Sequence, residues 1–207
     1  MSEIDNKPIN IAIIGLGGQG VITLAKLIAN TNFMLGKKVC YNEMHGLSQR
    51  GGSVQSYIRI NEAVNPLFAA KDVDIIIGLE KLETLRYLYL AREAKPKVLV
   101  SNKYEIRTTA DLGLEVFPES EDIDKEILKY SSDVYIFDSL GFEKSIKFKL
   151  KPVNVAVFSI LTSFPELGIP SEKAEDFVTE YLGRNIILKQ INKKAFKDGP
   201  KWIRKVE

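Results

Sequence analysis

Cysteine and histidine are nearly absent: Cys40 and His45 are the only ones among 207 residues. A single cysteine excludes an internal disulfide, a cysteine-built zinc site and an iron–sulfur cluster held by this chain alone. A single histidine excludes a histidine-rich metal site. Cys40 sits in "KKVCYN", which reads as a strand, so it is expected as a small buried hydrophobe. Long apolar runs are missing too. None approaches the ~18 residues of a membrane span, and the opening "MSEIDNKPIN" is too polar for a signal peptide. The expectation is a cytoplasmic protein with no membrane association. Charge of one sign is also lacking: the net charge is +2, Lys and Arg are interleaved with Asp and Glu, and no basic block marks a nucleic-acid surface. What remains, 45% hydrophobic and 27% charged residues, suits one soluble domain with a real core.

The periodicities alternate between strand and helix. "INIAIIG", Ile9 to Gly15, is an apolar run of the kind found in a strand buried on both faces. "GLGGQG" follows, and then Val21, Leu24, Ala25 and Ile28 recur at helical spacing. "KKVCYN", "SVQSYIRI", "VDIIIGL", "KVLVSN" and "DVYIFDS" read as further strands. A helix is expected over Glu80 to Ala91, and a shorter one around Ile123, Ile127 and Leu128. After Lys151 the pattern becomes helical. Val153, Ala156, Val157, Ile160, Leu161 and Phe164 form one face. Ser171 is expected to cap a second helix with Ala174, Phe177, Val178, Tyr181 and Leu182 inside. Arg184 to Lys197 makes a third, stopped by Gly199-Pro200. The reading is a single α/β domain over 1–207. A doubly wound, mostly parallel Rossmann-like core spans 8–150, and C-terminal helices over 151–200 pack on it.

Two stretches carry chemistry. Gly15, Gly17 and Gly20 form G-x-G-x-x-G between a strand and a helix, with Gly18 and Gln19 inside the turn. Such a turn lets a ligand approach the backbone, and the helix start favours an anion. The alternative is that the glycines serve only close helix–strand packing. A dinucleotide site would want an acid near the end of the second strand, a part for which Glu43 is the candidate. However, the amide of Gln19 in the turn, and the polar loop after Glu43, do not suit a plain nicotinamide site. That loop is the second stretch, "EMHGLSQRGGSVQSY", which holds His45, Gln49, Arg50, Gly51, Gly52 and Ser53.

Together, "GLGGQG" and "EMHGLSQRGGSV" resemble the beta subunit of indolepyruvate:ferredoxin oxidoreductase and, more distantly, the gamma domain of 2-oxoacid:ferredoxin oxidoreductases. The resemblance continues through "VDIIIGLEKLETLRYL", with Glu80, Glu83, Arg86 and Tyr87, then "VNVAVFSILTS" and "NKKAFKDG". It spans Ile9 to about Gly199. The His-Gly form of the loop resembles the aryl-pyruvate branch. The Gly-Asn pair that the family commonly carries before its asparagine-led helix is absent from "EKSIKFKLKPVN", and the stretch from Thr108 to Tyr130 fits loosely.

The resemblance implies a subunit of an enzyme that turns a 2-oxoacid, coenzyme A and oxidised ferredoxin into acyl-CoA, carbon dioxide and reduced ferredoxin. Thiamine diphosphate, magnesium and iron–sulfur clusters are then carried by a large partner subunit, which also brings in ferredoxin. No Gly-Asp-Gly…Asn pattern for thiamine is present here, so no cofactor is expected on this chain and no activity from it alone. Its implied task is to help form the substrate and coenzyme A region. The turn from Gly17 to Gly20 offers backbone N–H groups to a phosphate or carboxylate. Arg50 grips a carboxylate or phosphate, or makes an inter-subunit salt bridge. Gln49 orients it, and Gly51, Gly52 and Ser53 permit close approach. His45 passes a proton near the thiamine or serves the interface. Asn154 bonds the first turn or a partner. Glu80, Glu83 and Arg86 read as a solvated helix face. Without its partner the chain should expose an apolar face, which suits homodimerisation. Two alternatives stand beside this: a free-standing NAD- or FAD-binding protein, and a scaffold homologue without a catalytic partner.

Overall fold

The computed structural model describes residues 7–45, 51–62, 64–105 and 117–206, with His45 described by its backbone alone. A seven-stranded sheet runs through the domain in the order β2-β3-β1-β4-β5-β6-β7. At its centre β1 (Ile9–Leu16), β4 (Ile75–Gly78), β5 (Lys97–Ser101) and β6 (Val134–Phe137) are mutually parallel. β3 (Ser53–Ile60) lies antiparallel to β1, and β2 (Val39–His45) pairs antiparallel to β3 at the edge. The opposite edge is closed by β7 (Ile203–Lys205), antiparallel to β6.

Alternation along β1 decides what packs where. Ile11 and Ile13 face a cluster shared with α1 (Val21–Met34), α6 (Val153–Leu161), α7 (Ser171–Leu182) and α8 (Ile186–Asp198). Ala12 and Ile14 face a second cluster, with Ile123 and Ile127 of α4 (Ser120–Tyr130) and Leu88, Leu90 and Ala91. Both faces are dry, so β1 reads as a continuous apolar run. Each buried Ile or Leu contributes about 1.5–3 kcal/mol. The expected α/β, doubly wound architecture is therefore present, as three layers.

Several local expectations need correction. The stretch from Glu80 to Ala91 is not one helix. It is α2 (Lys81–Arg86), a 3-10 turn over Leu88–Leu90 and α3 (Ala91–Ala94). Glu80 and Glu83 are not solvated; each is only 1% exposed. Glu80 is the N-cap of α2 and accepts the Glu83 N–H at 2.7 Å. Ser171 is the first residue of α7 and makes no cap bond; Pro170 holds the cap position. Cys40 is half-buried on the edge strand, because β2 has a neighbour on one side only. β7 and the helix α5 (Ser139–Ser145) are additional to the elements expected.

Candidate functional site

The carboxyl end of β1 is the point where the sheet divides, with β3 on one side and β4 on the other. The glycine turn emerges there, and each glycine does something different. A Cβ on Gly15 would come within 2.9 Å of Gln19 Oε1, 3.0 Å of Val21 and 3.1 Å of Leu79, so this position is required by packing. Gly18 has φ +96° and open space around it; what it supplies is backbone conformation next to solvent. Gly20 is left-handed as well, and the Asn154 amide lies 3.1 Å from where its Cβ would be. Close packing at Gly15 and an open, left-handed backbone at Gly18 are thus supplied by separate residues.

Gln19 holds the turn from within. Its Oε1 accepts the Leu16 N–H at 2.9 Å, and its Nε2 lies 3.5 Å from Glu105 Oε1. No side chain caps α1, and its first turn holds no acid. The N–H groups at the start of a helix carry partial positive charge, so they favour an anion.

The second stretch meets the first. Gly17 N–H donates to the Gly52 carbonyl at 2.8 Å, and Gly51 N–H approaches the Gly17 carbonyl at 3.5 Å. These contacts extend the β1–β3 ladder one step past the Leu16–Ser53 pair. Ser53 is held in turn: its Oγ lies 3.3 Å from the Tyr87 hydroxyl, which also receives Gln55 Nε2. Gln49 and Arg50 lie outside the described residues, as does the side chain of His45, whose backbone ends β2.

Asn154 comes from another part of the chain. It follows Val153, the first residue of α6, and its Oδ1 accepts the Val155 N–H at 3.0 Å, which turns Nδ2 toward Gly20. Two clefts flank the turn. The larger, about 560 Å³, is lined by Gly18, Gly20, Thr23, Asn154, Lys151 and Arg184, among others. The smaller, about 300 Å³, lies between Gly17–Gln19 and Ser101, Lys103, Glu105 and Lys151. Lys103, Lys151 and Arg184 were not picked out from the sequence.

Beneath the smaller cleft, Glu80 accepts N–H bonds from Glu83 and Glu105. Burial raises its pKa above the usual 4.5, and the N–H donors oppose the rise. Glu105 therefore ties the turn, through Gln19, to the start of α2.

The dinucleotide alternative fails on topology. β3 lies between β1 and β2, which puts Glu43 two strand spacings from β1, about 10 Å. Glu43 also lies 3.4 Å from Lys26 of α1. Among the described residues no group of three or more His, Cys, Asp or Glu is arranged to hold a metal. Among the same residues no helix is long and apolar enough to cross a membrane.

Comparison with known proteins agrees with this geometry. The family model described as pyruvate ferredoxin/flavodoxin oxidoreductase matches residues 10–202. Indolepyruvate oxidoreductase subunit IorB of Archaeoglobus fulgidus is 29% identical over 191 residues, 92% of this chain and 93% of the relative. The crystal structure of pyruvate oxidoreductase subunit PORC of Thermotoga maritima has a TM-score of 0.67 at 17% identity, covering 97% of this chain and 99% of that one. A 2-oxoglutarate:ferredoxin oxidoreductase of Magnetococcus marinus, solved with 2-oxoglutarate, coenzyme A and succinyl-CoA, has a TM-score of 0.66 at 16% identity. That match covers 97% of this chain but 32% of that longer one. At these identities the two structures show the fold.

Proposed function

The chain belongs to the pyruvate ferredoxin/flavodoxin oxidoreductase family, and on that premise we propose that it is the small subunit of a 2-oxoacid:ferredoxin oxidoreductase of the indolepyruvate type. It completes a pocket whose reactive centre a large partner subunit supplies. The observation that carries this reading is the meeting of Gly17 with Gly51 and Gly52 at the carboxyl edge of β1. Two backbone segments meet there between the two clefts, at a margin that a second polypeptide can complete.

The reaction of such a complex joins the acyl part of a 2-oxoacid to coenzyme A, releases carbon dioxide and passes electrons singly to ferredoxin. It needs an electron sink, which thiamine supplies when bound. This chain's residues do not fit the redox groups: one partly buried cysteine on β2 makes no four-cysteine cluster. They do fit an anionic co-substrate. Lys151 and Arg184 line the larger cleft beside the uncapped start of α1. There they would hold a phosphate of coenzyme A, while Asn154 fixes the Gly20 end of the turn. Arg50, next in sequence to Gly51, is the candidate for the oxoacid carboxylate, and His45 for a proton carrier.

Co-expression with a large cluster-bearing chain tests the reading. A brown complex that reduces ferredoxin only with indolepyruvate and coenzyme A together is expected, with the small chain inactive alone. Failure of the two chains to associate would remove the proposal.

A further inference from the structure

The charge is less evenly spread than the sequence suggests. The segment Lys144–Lys151, "KSIKFKLK", holds four lysines and no acid, against a net charge of +2 for the whole chain. Many lysines elsewhere find carboxylates. Lys97 lies 2.5 Å from Glu166, Lys189 2.6 Å from Glu180, and Lys194 2.7 Å from Asp198. Among the described residues no ion pair involves Lys144, Lys147, Lys149 or Lys151; Lys151 instead donates to the Ile146 carbonyl. The lysines alternate with Phe148, 43% exposed, and Leu150, 50% exposed. No helix or strand covers 146–152. The amides of 147–150 donate to no other main-chain group among the described residues. The segment also borders the site: Lys151 lines both clefts and Leu150 the larger.

A run of lysines without carboxylate partners, alternating with half-exposed apolar side chains and bordering the site, offers a partner of opposite charge a surface that can steer association and fix its register. A nucleic acid is disfavoured, because the strip is short and directly preceded by Glu143. We propose that the strip from Lys144 to Leu150 docks an acidic surface of the large partner subunit, with Phe148 and Leu150 seated in apolar pockets between its carboxylates, while Lys151 at its end faces the clefts. This rests on the functional reading above, and it names the face by which the chain is fixed beside the partner's reactive centre. The lysines steer association, and the two apolar side chains anchor it.

The test uses the whole two-chain complex. Association is measured at low and high salt for the wild type, for the double variant Lys147→Glu/Lys149→Glu, and for a control reversal on α4, Lys125→Glu/Lys129→Glu. Melting curves check that each variant is folded. The strip variant is expected to bind about tenfold or more weakly at low salt, mainly through a slower on-rate, and to lose most of the salt dependence. The control is expected to bind like the wild type. Equal binding and equal salt dependence for the strip variant and the wild type would overturn the docking proposal and leave the functional reading standing. So would an equal loss in the control, since the effect would then be one of net charge. A wild-type chain that fails to associate at all would overturn the functional reading itself, and the docking face with it.

Discussion

Gly17 N–H donates to the Gly52 carbonyl across 2.8 Å, although the two residues are 35 positions apart in the chain. The bond exists because β3 runs antiparallel to β1. The amino end of β3 therefore lies at the edge where the parallel strands end. A parallel β3 would have delivered Gly51–Ser53 to the opposite edge of the sheet. The hairpin of β2 and β3 is thus what brings the second glycine segment to the first.

The conformation of Gly51 is a direct check on that arrangement. Its φ is +68°, in the left-handed region, and a Cβ there would meet nothing within 4 Å. Gly51→Ala should therefore destabilise through backbone strain alone, by about 1–2 kcal/mol. Gly51→Asn should lose less, since asparagine tolerates this region. Denaturant midpoints of the three proteins decide it: equal losses for Ala and Asn would point to sterics and contradict the open surroundings.

The larger cleft makes a kinetic prediction. Arg184 is exposed and lines it with Lys151. If it holds a phosphate of coenzyme A in the complex, Arg184→Ala removes one charge-assisted bond, worth about 1.5–3 kcal/mol. The KM for coenzyme A should rise about tenfold or more, with kcat and the KM for the oxoacid little changed. A fall in kcat at unchanged KM would place Arg184 elsewhere in the mechanism.

Much of this architecture was legible, for identifiable reasons. Ile9 to Gly15 could be read as a strand because both its faces are buried, and Asn154 stood out because a polar residue opened an otherwise apolar helix. The direction of β3 was not legible. Alternation along "SVQSYIRI" says which residues are inside, not which way the strand runs, and that depends on its pairing with both β1 and β2. Nor was the burial of Glu80 and Glu83. A spacing of i, i+3 marks a solvated face only if nothing covers it, and here Glu80 turns inward to cap α2 and to bond the Glu105 amide, 25 residues on. The three residues of β7 carry too little pattern to be seen without β6 beside them.

Glu80 gives a pH dependence of known sign. Burial raises its pKa above 4.5, so the native state holds this proton more tightly than the unfolded chain. Its contribution to stability is full below pH 4.5 and falls as pH rises through the native pKa. Glu80→Gln does not titrate there. The stability of the wild type relative to Glu80→Gln should therefore be highest near pH 4 and decline toward neutrality, as measured by urea unfolding of both proteins across that range. An advantage that grows with pH would show that the N–H donors from Glu83 and Glu105 outweigh burial.

The Lys81–Asp124 pair supplies a last test, and it separates the value of a bond from the cost of breaking it. Lys81 Nζ lies 2.7 Å from Asp124 Oδ2 and 2.9 Å from Ser120 Oγ, with only 5% of the lysine side chain exposed. It joins α2 to α4 beneath the Glu80 cap. Removing the acid leaves a buried cation with only the Ser120 hydroxyl and, at 3.4 Å, the Ser120 carbonyl as acceptors, which by analogy with other buried pairs costs about 3–5 kcal/mol. Removing the lysine leaves an aspartate whose side chain is still 24% exposed, so it stays partly hydrated although its Oδ1 is buried. Asp124→Ala should therefore destabilise clearly more than Lys81→Met, whose apolar stem keeps the packing. The double variant should recover much of the Asp124→Ala loss, because it no longer buries an unmatched charge. Additive losses in the double-mutant cycle would mean that the two groups act independently, and that α2 and α4 are held by their apolar contacts alone.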